Sequence, residues 1–175
     1  MIDTLALVLV LGASSLLYAF SAFEKIGDRE AFRITLDAYQ ILPSAMGRVT
    51  VQLVISLELV AATLLITPGF IYGLWLAIGL QVAYATAIGI NLVRGRTYID
   101  CGCLGSEGEG ISAWHLLRNL VLLTLMSAAL LPSNAREFVW LDYMLVPLGL
   151  AALALVYVTT AMLLSNNTRQ QPWRI

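Results

Sequence analysis

The chain has 175 residues, 59% hydrophobic and 12% charged, with 10 Lys+Arg against 11 Asp+Glu and a net charge of −1. Its mean hydropathy of +0.83 and its composition lie well outside those of a soluble domain, which is about 45–50% apolar and about 25% charged. Balanced charge excludes a nucleic-acid protein working through a broad basic face, high hydrophobicity excludes disorder, and two cysteines are too few for a disulfide-stapled secreted miniprotein.

A membrane-crossing helix needs about 20 mainly apolar residues. The first such stretch is 5–23. It opens on Ile2, Asp3 and Thr4, without the positive flank or small-residue cleavage site of a signal peptide, and is read as a retained helix. Segment 24–42 is too polar to cross. Phe32, Leu36 and Tyr39 recur there at i, i+4 and i+7, with Arg29, Arg33 and Asp37 elsewhere around the turn. That spacing predicts an amphipathic helix lying in the membrane interface, a solvated connecting helix being the alternative. Pro43 ends it.

Further spans are expected at 49–66, 72–93, 114–131 and 145–164. Thr67, Pro68 and Gly69 make a tight turn that sets the second and third spans antiparallel, and Pro132, Ser133 and Asn134 stop the fourth. No strand alternation suggests a β-barrel. The expected fold is an all-α integral membrane helical bundle in one domain: four core transmembrane helices, a fifth C-terminal span and the interfacial amphipathic helix.

Basic residues are distributed unevenly. Lys25, Arg29, Arg33, Arg48, Arg94, Arg96, Arg169 and Arg174 lie toward one side and Arg136 alone toward the other. The positive-inside rule then predicts an outside N-terminus and a cytoplasmic loop at 94–112.

That loop reads RGRTYIDCGCLGSEGEGIS and is the most polar and glycine-rich part of the chain. It holds both cysteines, Cys101 and Cys103. A Cys-Gly-Cys pair that closes into a small ring departs from relaxed disulfide geometry and is easily reduced. Arg94, Arg96 and Arg118 favour a thiolate there and Asp100 opposes it. Redox cycling is the leading reading. Soft-metal binding by the two thiols with His115, twelve residues on, and an inert or lipid-anchoring role remain open.

Ionisable groups inside spans are functional suspects. Glu58 lies near the middle of the second span and Arg118 about one turn into the fourth; they are expected to face each other as a buried pair or clamp. Gln52, Gln81, Asn91 and Asn119 are expected to hydrogen-bond between helices. Gly73, Ala77, Gly79 and Gly89 are expected to permit close helix approach. No residue pattern calls for a cofactor, and none speaks for or against a bound quinone.

The run NLVRGRTYIDCGCLG, followed by WHLLRNLVLL, resembles the methylamine utilisation protein MauE family and the wider DoxX-like group of four-helix membrane proteins. FSAFEKIGDREAFRITLDAYQILP, with Lys25, Phe32, Tyr39 and Pro43, resembles the segment after the first helix in that group, and Glu58 falls where those proteins carry an acid in the second helix. The resemblance covers roughly residues 5–131. It implies a bacterial inner-membrane helper in the processing, transport or disulfide formation of the methylamine dehydrogenase small subunit, working beside a periplasmic thioredoxin-like protein. Carried onto this chain, it makes Cys101 and Cys103 the redox pair and Glu58 and Arg118 supporting residues of the catalytic site. A periplasmic client conflicts with the cytoplasmic loop that the charge count predicts. A soft-metal membrane protein and a non-catalytic assembly scaffold are the alternatives, and no nucleic-acid partner is expected.

Overall fold

Asp3 opens the first helix, α1 (Thr4–Gly27), by accepting the Leu5 N–H on its carboxylate at 2.8 Å. The computed structural model describes residues 2–41, 43–99, 110–134 and 137–169. Cys101 and Cys103 lie outside these residues.

One face of α1 is buried from Leu11 onward: Leu11, Ser14, Ser15, Tyr18, Ser21, Ala22 and Lys25. The helix continues through Glu24–Gly27, whose polarity in the sequence places them in the following segment. Asp28 makes the break. Its N–H closes α1 on the Glu24 carbonyl at 3.1 Å, while its carboxylate caps α2 (Arg29–Tyr39) by accepting the Ala31 N–H at 2.8 Å. Gln40, at φ 48°, ends α2 in the left-handed region.

The amphipathic stripe of α2 exists as predicted, but the chain itself covers it. Phe32 packs with Val51 and Ile55 of α3 (Gly47–Leu65), and Leu36 rests on the same cluster. Tyr39 joins Ile88, Ile99 and Ile111.

The turn at Thr67–Gly69 returns the chain as α4 (Phe70–Val93), beside α3. Gly73 explains the closeness of this corner. A Cβ there would stand 2.8 Å from the Leu65 nitrogen and 2.9 Å from the Leu64 carbonyl carbon, so only glycine fits. Ala77 is also fully buried, whereas Gly79 and Gly89 face open space and do not serve the close approach expected of them.

The fourth stretch forms α5 (Ala113–Ala128), with turns to Leu131. Its 16 residues reach about 24 Å at about 1.5 Å per residue, less than the roughly 30 Å hydrocarbon core. Among the described residues, the helices long and apolar enough to cross a membrane are α1, α3, α4 and the 140–160 part of α6 (Trp140–Arg169). Leu11, Tyr18, Ala61, Leu65, Leu74, Ala77, Leu80 and Met126 form the core shared by α1, α3, α4 and α5.

Helix α6 packs on α1 from outside, with only 6% of its most apolar window buried against 28–33% for the other three long helices. At the start of α1, Ile2–Asp3 pairs in parallel with Ser133–Asn134. The protein is an all-α, multi-pass membrane bundle.

Candidate functional site

A left-over polar set remains once the apolar faces are matched, and three helices bring it together. On α1, Tyr18, Ser21 and Lys25 follow at i, i+3 and i+7. On α4, Ala77, Gln81, Tyr84, Ile88 and Asn91 alternate steps of four and three residues. Glu58 lies on the buried face of α3 among Ile55, Ala61 and Ala62.

Sequence alone leads to the expectation that Glu58 pairs with Arg118. Its actual ion-pair partner is Lys25, whose Nζ lies 2.9 Å from Oε1 and 3.1 Å from Oε2. The two side chains are 5% and 0% exposed. Ser21 donates its hydroxyl to Glu58 Oε1 at 3.0 Å, and Tyr84 donates its phenol to the same oxygen. The Lys25 ammonium also stands over the Phe32 ring at 5.0 Å and near the Tyr84 ring at 5.7 Å. Such aromatic faces stabilise a desolvated cation. Lys25 is therefore an interior charge and not one of the loop charges in the orientation count, which becomes seven against one.

Arg118 turns toward α6. Its Nη1 donates to the Tyr157 hydroxyl at 3.1 Å, with the guanidinium 5.7 Å from the ring centre. Arg118 and Glu58 nevertheless line one small cavity of about 30 Å³, together with Ser21, Tyr84, Asn119 and Tyr157. That volume admits about two water molecules among groups able to bond them.

A second run of polar contacts leads along the bundle. Tyr18 donates to the Ala77 carbonyl at 2.8 Å, with Gln81 Oε1 3.2 Å away. The Gln81 amide donates to Asn119 Oδ1, and Asn119 donates to the His115 carbonyl at 2.7 Å. Gln81 and Asn119 thus fulfil the interhelical role expected of them. Asn91 is fully buried but bonds within its own helix, to the Ala87 carbonyl at 3.0 Å, and Gln52 is exposed.

His115, weighed above as a metal ligand, caps α5. Its Nδ1 accepts the Ser112 N–H at 3.1 Å and lies 2.9 Å from the Ser112 hydroxyl. Among the described residues no three His, Cys, Asp or Glu side chains come together as a metal site.

The cysteines fall in 100–109, outside the described residues, but both flanks of that stretch are fixed. Ile111 donates its N–H to the Ile99 carbonyl at 2.8 Å, and both side chains are buried with Ile88 and Tyr39. Gly110 is needed for this approach, since a Cβ would stand 1.9 Å from the Thr97 carbonyl oxygen.

Lys25, Ser21, Tyr84 and Tyr157 were not singled out from sequence as members of the site. The signal for the first two was the buried face of α1, whose spacing from Leu11 onward carries through Ser21 to Lys25.

The family described as Methylamine utilisation protein MauE matches residues 2–132, which contain α1 to α5 and stop short of α6. The methylamine utilization protein MauE of Paracoccus denitrificans is 35% identical over 116 residues, 65% of this chain and 62% of that protein. Its namesake in Paracoccus versutus is 31% identical over 151 residues, 84% and 81% of the two chains. That of Methylophilus methylotrophus is 32% identical over 111 residues, 62% and 58%. The aligned part is thus under two thirds of the length of the first and third of these relatives. No solved structure matches. With three quarters of its length matched, including the Lys25–Glu58 cluster and the cysteine segment, the chain belongs to the methylamine utilisation protein MauE family.

Proposed function

We propose that this protein serves methylamine utilisation from the bacterial inner membrane, helping the methylamine dehydrogenase small subunit to acquire its disulfides through Cys101 and Cys103. The observation that carries the reading is the fixed frame of the cysteine segment. The Ile99–Ile111 bond ties both flanks of the ten residues 100–109 to the buried end of a membrane bundle. A short Cys-Gly-Cys pair held on such a frame suits exchange better than stapling.

In the exchange a client thiolate attacks the Cys101–Cys103 disulfide and forms a mixed disulfide with one of the two sulfurs. A second client thiolate then attacks the client sulfur of that bond. The client leaves with a disulfide, and Cys101 and Cys103 end as thiols, having taken two electrons and two protons. A thioredoxin-like partner in its disulfide form reoxidises the pair. Glu58, bonded to Lys25 and Tyr84, ties α3 to α1 and α4, and Arg118 ties α5 to α6 through Tyr157 beside the small cavity that Glu58 also lines.

Soft-metal binding is less well supported, because His115 Nδ1 accepts the Ser112 N–H in capping α5, which leaves the proton of the neutral ring on Nε2. The test is replacement of Cys101 and Cys103 by serine in a host that makes methylamine dehydrogenase. The small subunit is expected to accumulate with unpaired thiols while the variant remains in the membrane. A small subunit with its full set of disulfides refutes the exchange.

A further inference from the structure

A groove away from the buried cluster carries a different chemistry. Between α2 and the first turns of α3 lies an open space of about 320 Å³, lined by Arg29, Arg33, Arg48 and Glu30, and by Val49 and Gln52 of α3. Arg33 is already engaged: it bonds Glu30 at 3.0–3.1 Å through Nε and stands 3.5 Å from Asp37. Arg29 and Arg48 make no ion pair among the described residues. Three guanidiniums against the carboxylates of Glu30 and Asp37 leave one net positive charge, matched to an anion of charge −1.

The surface next to the groove narrows the choice of anion. Val49, Leu53 and Val60 are all exposed on α3 at i, i+4 and i+11, so they continue one face from the groove along a membrane-spanning helix. A small soluble anion makes no use of such a track, whereas an acyl chain does. Arginine is suited to the head, since its planar fork presents paired N–H groups to phosphate oxygens.

We propose that this groove is a binding site for an anionic phospholipid. Arg29 and Arg48 hold its phosphodiester, and its acyl chain lies along Val49, Leu53 and Val60. The site is independent of the thiol chemistry and stands or falls separately from it.

The test is retention of phosphatidylglycerol against phosphatidylcholine by the purified full chain in detergent, read by native mass spectrometry. Preference for phosphatidylglycerol is expected, falling about fivefold for Arg48→Gln and for Arg29→Gln. Arg94→Gln, which removes the same charge from an exposed residue outside the groove, is expected to leave it unchanged. Excess inorganic phosphate is expected not to displace the lipid. Equal losses in all three variants, absence of any preference, or displacement by inorganic phosphate each overturn the proposal. The last result identifies a site for free phosphate instead. Arg29 is exposed on α2, so if Arg48→Gln does not yield folded protein, Arg29→Gln carries the comparison.

Discussion

Lys25 and Glu58 lie 33 residues apart in the chain, yet the ammonium of one bonds both carboxylate oxygens of the other inside the bundle. Each charge is sealed from solvent, and Ser21, Tyr84 and the Phe32 ring surround the pair. Desolvating two ions is costly and is offset only when geometry is good and the remaining lone pairs find donors. Both conditions are met here, and the pair joins α1 to α3 with α4 closing over it through Tyr84.

Removing one member should therefore be worse than removing both. Lys25→Met or Glu58→Leu alone is expected to cost about 3–5 kcal/mol, the range for stranding a buried charge. The double variant Lys25→Met/Glu58→Leu is expected to lose less than either. Chemical unfolding of the four proteins in one detergent measures the coupling, and additive losses contradict the pairing.

Lys25 is the only lysine of the sequence, which permits a test without mutation. Its burial predicts that an amine-reactive ester leaves the Lys25 peptide unmodified in the folded protein and acylates it after denaturation. Peptide mass spectrometry reads both states. Rapid acylation in the folded protein contradicts the burial.

The α3–α4 corner makes a prediction about two glycines of one helix. Gly73→Ala places a methyl against backbone atoms of Leu64 and Leu65, so a loss of about 1–3 kcal/mol is expected. Gly79→Ala meets open space and is expected to be neutral or to stabilise by up to about 1 kcal/mol. Thermal unfolding in detergent distinguishes them.

On α2 the hydrogen bond from Arg33, aided by the charges of Arg33 and Arg48, holds the Glu30 carboxyl below its ordinary value. A carboxyl depressed on folding contributes stability above its unfolded pKa and loses that contribution as pH falls through the folded value. The difference in melting temperature between wild type and Glu30→Gln is expected to be small at neutral pH, because the pair is exposed. It should vanish in strong acid. A difference that grows in acid contradicts the assignment.

The long apolar stretches, the Thr67–Gly69 reversal and the α2 stripe were legible in sequence because each depends on local pattern. The buried ion pair was not. Lys25 follows the last strongly apolar residues of α1, where polarity alone suggests that the helix has ended, although the spacing Leu11, Ser14, Tyr18, Ser21, Lys25 continues one face. Pairing Arg118 with Glu58 follows from their both being charged on spans that begin on the same, cysteine-loop side. The bond from Arg118 to Tyr157 crosses 39 residues to a helix outside the matched family region, and no local pattern encodes that contact. Gly73 and Gly79 look alike in sequence, and only the close approach of the Leu64–Leu65 backbone to Gly73 separates them.

The central claim is that Cys101 and Cys103 exchange as a disulfide. Labelling both residues in intact cells with a membrane-impermeant maleimide, before and after mild reduction, tests it most directly. Protection until reduction and labelling afterwards without permeabilisation is expected, which puts the pair on the client's side of the membrane and overturns the cytoplasmic loop that the seven-to-one charge count predicts. Thiols that react fully without reductant, and are unchanged by it, contradict the claim.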